Sequence, residues 1–276
     1  MNDIRTIERR TVELSHGKTV VWEAGSGDPV VLLHGVRFWE GGDYWISTIQ
    51  ALSAQFHVYA PDLMGWGDGE RLFVEYSFAY LVDFVRELQD ALGITSAHIV
   101  GHSMGGWVAA LLAYESPERV RTLTLVANGG MSTSTPHMMK QVQVPTREEL
   151  VQYARGIGQM RESEINEAVE RWLARVERPD AVAAYTLIMR HMTQPIHRAR
   201  YNLRRRLRYI KAPTLIVWGE FDLVNSIEFG KEMYQALPAA HMVVLPCGHD
   251  CVQEQPDAFH QALIPFLREY AKGDGP

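Results

Sequence analysis

Apolar residues along this chain arrive mostly in short unbroken runs, separated by stretches of helical periodicity. Val30-Val31-Leu32-Leu33 is followed by a helix-like stretch at 44–53 and then by Val58-Tyr59-Ala60. A second helix-like stretch, 78–92, leads to Ile99-Val100, and the run at 107–113 leads to Leu123-Thr124-Leu125-Val126. Strands that are apolar throughout and alternate with helices predict a parallel sheet covered on both faces. The rhythm returns late, with Thr214-Leu215-Ile216-Val217-Trp218 and Met242-Val243-Val244-Leu245 around a helix at 227–237. Near the start, segments 8–14 and 18–23 alternate instead, which predicts an antiparallel hairpin at the sheet's edge. The expected fold class is α/β, a mostly parallel central sheet flanked by helices.

Between 129 and 208 the strand rhythm disappears. Thr146-Arg147-Glu148-Glu149 has the form of a capping box, in which a threonine hydroxyl and a glutamate satisfy each other's exposed amides, and it predicts a helix start. A second helix is expected at 162–175, a third from Pro179 to about 191, and a fourth from Pro195. The expectation is a helical cap, 130–208, inserted over the carboxyl edge of a core formed by 1–129 and 209–276. Charge sets the insertion apart: positions 131–211 hold 15 basic and 8 acidic residues, a balance of +7, in a chain whose net charge is −6. The remainder is therefore near −13. Met131, Met138, Met139, Met160, Met189 and Met192 all fall in the insertion, and this flexible, polarisable side chain suits an adaptable apolar pocket wall.

Composition narrows the function classes. An apolar content of 46% supports a sizeable core, and a pI near 6.0 gives no electrostatic footprint for nucleic acid. No apolar run approaches the ~18 residues of a membrane span. The first ten residues are charged and lack the apolar stretch of a secretory leader, and two cysteines are too few for a disulfide framework. A cytoplasmic protein is expected, ending in the polar tail Lys272-Gly273-Asp274-Gly275-Pro276. Oligomeric state leaves no mark in the sequence.

The chemistry gathers at strand ends. Gly101-His102-Ser103-Met104-Gly105 follows a predicted strand and opens a predicted helix, the context in which G-x-S-x-G forms a nucleophile elbow. Glycines flank the serine because side chains there would strike neighbouring backbone. A serine hydroxyl is a weak nucleophile at neutral pH, so it needs a base, a group that orients the base, and donors for the oxyanion. Gly219-Glu220-Phe221-Asp222 follows one late strand and Pro246-Cys247-Gly248-His249 follows the next, giving the chain order Ser103, Asp222, His249. Glu220 is the weaker candidate for the acid. The backbone amides of Val36, after the third strand, and of Met104 are assigned to the oxyanion hole.

Cys247 and Cys251 bracket His249, but with one histidine between them and no second ligand cluster no metal is expected, and the serine chemistry requires no cofactor. Residues expected to contact substrate are His34, Arg37 and Trp39 beside the oxyanion loop, His102 beside the nucleophile, and Met131 and Arg190 in the insertion. His34 and His102 are read as packing or tuning groups rather than acid–base catalysts. Arg198, Arg200, Arg204, Arg205, Arg206 and Arg208 form a basic run in which one side chain, or Arg190, or Arg37, is a candidate anchor for a substrate carboxylate.

Over nearly its whole length the chain resembles the α/β-hydrolase superfamily. The resemblance rests on His34-Gly35, on Asp62 with Gly65 and Gly67, on the Ser103 elbow, on Gly219 with Asp222, and on Gly248-His249. It implies an enzyme, with Ser103 separating it from the aspartate-nucleophile dehalogenases and epoxide hydrolases. Ser103-Met104-Gly105-Gly106 is also similar to hydrolases that cleave carbon–carbon bonds in ring-fission products. The chain departs from those in three places: His102 replaces their asparagine, Val36-Arg37-Phe38-Trp39 replaces a glycine-rich segment, and Asp250 replaces a tryptophan. The expectation is hydrolysis of a small or medium carboxylic ester or lactone, on an apolar substrate that can carry a carboxylate. Carbon–carbon hydrolysis of a dienoate or diketone is the alternative, and a ligand receptor built on a hydrolase fold is the alternative of a different class.

Overall fold

The computed structural model describes residues 6–135, 142–157 and 160–271. Met1 to Arg5, Met138, Met139 and the polar tail lie outside the described residues. Eight strands form one sheet in the order β1-β2-β4-β3-β5-β6-β7-β8. β1 (Glu8–Leu14) and β2 (Gly17–Gly25) are the antiparallel edge hairpin, and β2 pairs antiparallel with β4 (Phe56–Pro61). β3 (Asp28–Leu33), β4, β5 (Ala97–His102), β6 (Val120–Val126), β7 (Thr214–Gly219) and β8 (Ala240–Leu245) run parallel. Every residue of β5 and of β7 is buried, which is why their sequences show no alternation.

Helices cover both faces. α1 (Ile46–Leu52) follows β3, α2 (Phe78–Ala91) follows β4, and α3 (Met104–Glu115) follows β5. Between β6 and β7 come α4 (Arg147–Gly156), α5 (Glu162–Val176), α6 (Ala181–Thr193) and α7 (Pro195–Arg200). The Thr146–Glu149 capping box is formed in both directions, and Pro195 occupies the first turn of α7. α8 (Ile227–Ala236) precedes β8; α9 (Cys251–Glu254) and α10 (Pro256–Glu269) close the chain. The apolar runs did not single out α10, whose buried positions Phe259, Leu263, Phe266 and Leu267 are spread at helical spacing around Pro265. α2, α3 and α8 pack on one face of the sheet and α1 and α10 on the other. Among the described residues no helix is long and apolar enough to cross a membrane.

Chain connections leave β3 and β5, which are neighbours, in opposite directions: β3 leads by way of α1 to β4, and β5 by way of α3 to β6. Such a reversal opens a crevice at the strands' carboxyl ends, where ligands bind in open α/β sheets. The loops after β3 and β5 carry Val36 and Ser103.

The helical segment has a small apolar centre of its own, formed by Leu150, Ile165, Val169, Trp172 and Leu173 with Phe38 inserted from the loop after β3. Phe38 stacks on Tyr185 of α6 at 4.5 Å and 8°. Beside it, Arg175 of α5, only 1% exposed, donates to Asp43 at 2.7 Å and to Asp68 at 2.9 Å, and Arg171 donates to the other oxygen of Asp43 at 2.8 Å. Asp62 lies alongside and accepts from the backbone amides of Gly42 and Asp68 at 2.6 and 2.7 Å. A side chain at Gly67, whose φ is +56°, would fall on the Asp62 carboxylate, which accounts for that aspartate–glycine pairing in the sequence.

Burial pushes the Asp43 carboxyl up, but Arg175 and Arg171 together outweigh it and hold it below the ordinary range. A depressed carboxylate favours folding above its unfolded pKa, and that stability is lost as pH falls through the folded value. Arg175→Met leaves Asp43 buried with only Arg171, so it should lower the unfolding free energy at pH 7 by about 3–5 kcal/mol. The deficit relative to wild type should shrink below about pH 4, where the unfolded carboxylate is itself protonated. Urea titrations at the two pH values measure both, and an undiminished deficit in acid would show that the ion pair is not its source.

Candidate active site

β5 ends in a turn that places Ser103 at φ 53° and ψ −113°, a region that residues with a side chain rarely occupy. Backbone bonds hold it there. Ser103 donates its N–H to Val126 of β6 at 2.9 Å, and its carbonyl accepts from Gly129 at 2.9 Å and from Trp107 at 3.2 Å. The flanking glycines are required by contact: a Cβ on Gly101 would lie 2.4 Å from the Gly105 carbonyl oxygen, and one on Gly105 would lie 2.2 Å from that of Leu33.

Three strand ends meet at this serine. The Ser103 hydroxyl donates to His249 Nε2 at 2.9 Å, and His249 Nδ1–H donates to Asp222 Oδ2 at 2.9 Å. Asp222 is buried, and its other oxygen accepts from the amides of Val224 and Asn225 at 2.8 and 2.9 Å. Glu220 faces solvent two residues earlier. The ring of His249 is thus in the tautomer that leaves Nε2 free to receive the serine's proton.

Ser103 opens into a cavity of about 110 Å³. Val36, Met104, Trp107, Met192 and Val224 give it apolar walls, and Arg37, His102, Arg198 and Asn225 supply its polar atoms. Val36 and Met104, whose amides are expected as oxyanion donors, both line this cavity.

Two kinds of likeness to known proteins agree with this geometry. A family model described as "alpha/beta hydrolase fold" matches residues 28–159. A 2-hydroxy-6-oxo-6-phenylhexa-2,4-dienoate hydrolase of Burkholderia cepacia is 29% identical over 269 residues, covering 92% of each chain. The meta-cleavage product hydrolase of Pseudomonas fluorescens IP01 is 25% identical and superposes with a TM-score of 0.80 over 95% of this chain and 98% of its own. A bacterial membrane phospholipase A is 26% identical with a TM-score of 0.80, over 96% of this chain and 86% of its own. The chain has the α/β-hydrolase fold.

The structure reassigns several of the residues expected at the hydrolase's substrate. Arg190 projects into solvent from the outer face of α6, whereas Arg198 of α7 turns inward and is only 4% exposed. Met131 is buried away from the cavity; its carbonyl accepts from the side chains of Asn202 and Arg204. His34 is fully enclosed, donating Nδ1–H to Gly35 and accepting from the Leu63 amide, and burial lowers its pKa to about 4. Trp39 lines a different cavity, on the far side of Arg37. Of the insertion's methionines, Met192 reaches the catalytic cavity, Met189 is buried, and Met160 lies with Trp39.

Arg37 lines the catalytic cavity, yet its guanidinium is already engaged. It grips Asp250 with two bonds of 2.8 and 2.5 Å and Glu40 with one of 2.7 Å. His102 Nε2–H donates to the His249 carbonyl at 3.0 Å, its ring stacks on Tyr44 at 4.9 Å, and burial together with His249 lowers its pKa to about 3. Glu254 accepts from the amides of Gly248 and Asp250 at 2.8 and 3.1 Å. Arg37, His102 and Asp250 thus form one cluster behind His249. No sequence signal joined them, because Arg37 and Asp250 lie 213 positions apart.

Cys247 and Cys251 are free thiols packed in the core. Among the described residues, the groupings with metal-ligand types are Glu75–His191–His197 and Glu40–His102–Asp250, and neither contains a cysteine. Arg37 occupies the second as its cation. In the first, His191 spends one ring nitrogen on the Phe78 amide and the other on Glu75.

The elbow's tight fit gives a direct test. Gly105→Ala should either prevent folding or displace the turn, so that any soluble protein loses reaction with a fluorophosphonate by at least about 100-fold. Labelling kinetics at wild-type rate on a normally folded variant would show that the turn is not confined as the contacts require.

Proposed function

We propose that this hydrolase cleaves a short carboxylic ester, or a lactone, whose acid or alcohol part carries a carboxylate. Residues 130–208 act as its cap, and 1–129 with 209–276 as the core. The observation that carries this reading is the cavity beside Ser103. Its volume is about 110 Å³. It has apolar walls and one buried arginine. Arg198 donates to the Met192 carbonyl at 3.1 Å and stands 5.3 Å over the Trp107 ring, but its Nε has no partner and no carboxylate pairs with it among the described residues. Burial lowers its pKa, and no carboxylate among the described residues balances its charge, so an incoming anion finds a partner there.

In this mechanism Ser103 attacks the carbonyl carbon while His249 takes its proton, and Asp222 holds the imidazolium that forms. The amides of Val36 and Met104 donate to the tetrahedral oxyanion. His249 returns the proton to the leaving alkoxide, the acyl group remains on Ser103, and a water activated by His249 releases the acid. His34 and His102 stay neutral across the working pH range and move no proton.

Carbon–carbon hydrolysis of a dienoate or diketone is the second reading, supported by what the Burkholderia and Pseudomonas relatives are named for.

Ser103→Ala should abolish turnover, and Asp222→Asn should lower kcat by about 10⁴ while Glu220→Gln changes it only a few-fold. A larger loss in Glu220→Gln would reverse the assignment of the acid. With paired substrates, Arg198→Met should cut kcat/KM for the acidic ester by about 10–100-fold and leave its neutral methyl-ester counterpart within a few-fold. Equal losses on both would remove Arg198 from substrate recognition. Across unbranched esters, kcat/KM should rise by up to ~0.8 kcal/mol of barrier per methylene and then fall once the cavity is full. Turnover of a ring-fission dienoate faster than of every ester would decide for the second reading.

A further inference from the structure

Most polar side chains around the catalytic cavity are already engaged. Arg37 is charge-matched by Asp250 and Glu40, and Ser103 and His249 carry the reaction. His102 has Nε2 on the His249 carbonyl and Nδ1 enclosed. Asn225 and Arg198 remain. Asn225 stands between β7 and α8, and three hydrogen bonds fix it. Its N–H donates to the catalytic Asp222 at 2.9 Å, its carbonyl accepts from Trp218 Nε1 at 3.0 Å, and its Nδ2 donates to the Ala127 carbonyl at 2.9 Å.

Among the described residues, Ser103 and Ala127 are the two with a side chain at positive φ, and Ala127 is at 45°. Such backbone is unfavourable and persists only where its surroundings hold it. Here it accompanies a carbonyl aimed at Asn225. A carbonyl only accepts, so the amide nitrogen of Asn225 must face it and Oδ1 must face away. That oxygen accepts from no donor among the described residues and is not enclosed. Arg198 spends Nη1 on the Met192 carbonyl and has Nε enclosed, which leaves Nη2 for a ligand. The cavity thus offers one fixed acceptor and one cationic donor.

We infer that Asn225 determines specificity by accepting a hydrogen bond from a hydroxyl of the substrate, and that the substrate class is the ester of a hydroxy-carboxylate. Arg198 takes the carboxylate and Asn225 the hydroxyl. An ester without the hydroxyl would strip water from Oδ1 and give no donor in return, which is how a site built to bond a hydroxyl rejects the analogue that lacks it. A carbonyl or ether oxygen in the same place would set acceptor against acceptor. Because the Asn225 N–H is bonded to Asp222, the acceptor is held at a fixed offset from the triad. The choice of an ester rests on the hydrolytic reading above; recognition of the hydroxyl does not.

Monomethyl malate, as each regioisomer and enantiomer, and monomethyl succinate differ only in a hydroxyl, and they test the inference. A hydroxyl also activates a neighbouring ester chemically, so the deciding quantity is the change in the kcat/KM ratio on substitution. Asn225→Val should lower the ratio for the preferred malate ester by about tenfold. The ratio is taken within one preparation, so loss of folded enzyme cancels from it. Calorimetry with malate and succinate reads recognition without turnover. Wild type should bind malate about tenfold more tightly, and Asn225→Val should bind the two alike. A ratio that Asn225→Val leaves unmoved, including an equal loss on both esters, would overturn the inference. So would equal wild-type affinity for the two acids, which decides the matter even if the variant does not fold. A protein that prefers malate yet hydrolyses neither ester would count against the hydrolytic reading and leave the role of Asn225 standing.

Discussion

The first turn of α3 lies against the end of β3 with no room for a methyl group. That contact sets the rest of the site. A Cβ at Gly105 would fall within 2.2–2.4 Å of the carbonyl oxygens of Leu33 and His34, so the elbow and the loop after β3 meet backbone to backbone. The same contact brings Val36 and Met104 into the lining of one cavity beside Ser103. The close approach in turn requires β3 and β5 to be neighbours whose connections diverge, which the sheet order provides.

Above that crevice the helical segment is attached by two kinds of interaction. Phe38 joins its apolar centre, and Arg171 and Arg175 fix α5 to Asp43 and Asp68. Buried pairs of this sort add little net stability compared with apolar packing, but they tolerate only one geometry. They place α5 in register with the core, and α6 and α7 then bring Met192 and Arg198 over the serine. Two of the arginines that make the segment basic, Arg171 and Arg175, are thus paired with aspartates outside it.

The sheet, the elbow and the order of the triad were legible because each depends on a local pattern: an apolar run, a pair of glycines, a short loop after a strand. The aspartate at 62 with its glycines was legible for the same reason. What the sequence did not disclose depends on which way a side chain turns. Arg190 and Arg198 sit in one basic stretch, and the restart of the helix at Pro195 decides that the second faces inward. Arg37 reads as a free cation until Asp250, at the other end of the chain, is brought to it. The cavity beside Trp39 has residues from α1, α4, α5, α9 and α10 and from the loop after β3 in its wall, so no stretch of sequence marks it.

The loop bearing His249 is tied at each of its peptide groups. Glu254 holds the amides on either side, His102 holds the carbonyl, and Arg37 grips the next side chain. The ties reach to β3, to β5 and to α9, elements that belong to the body of the fold. Ordering the base is therefore not a separate step that substrate must bring about. Its entropic cost is met when the chain folds, and the loop opens only when the structure around it opens.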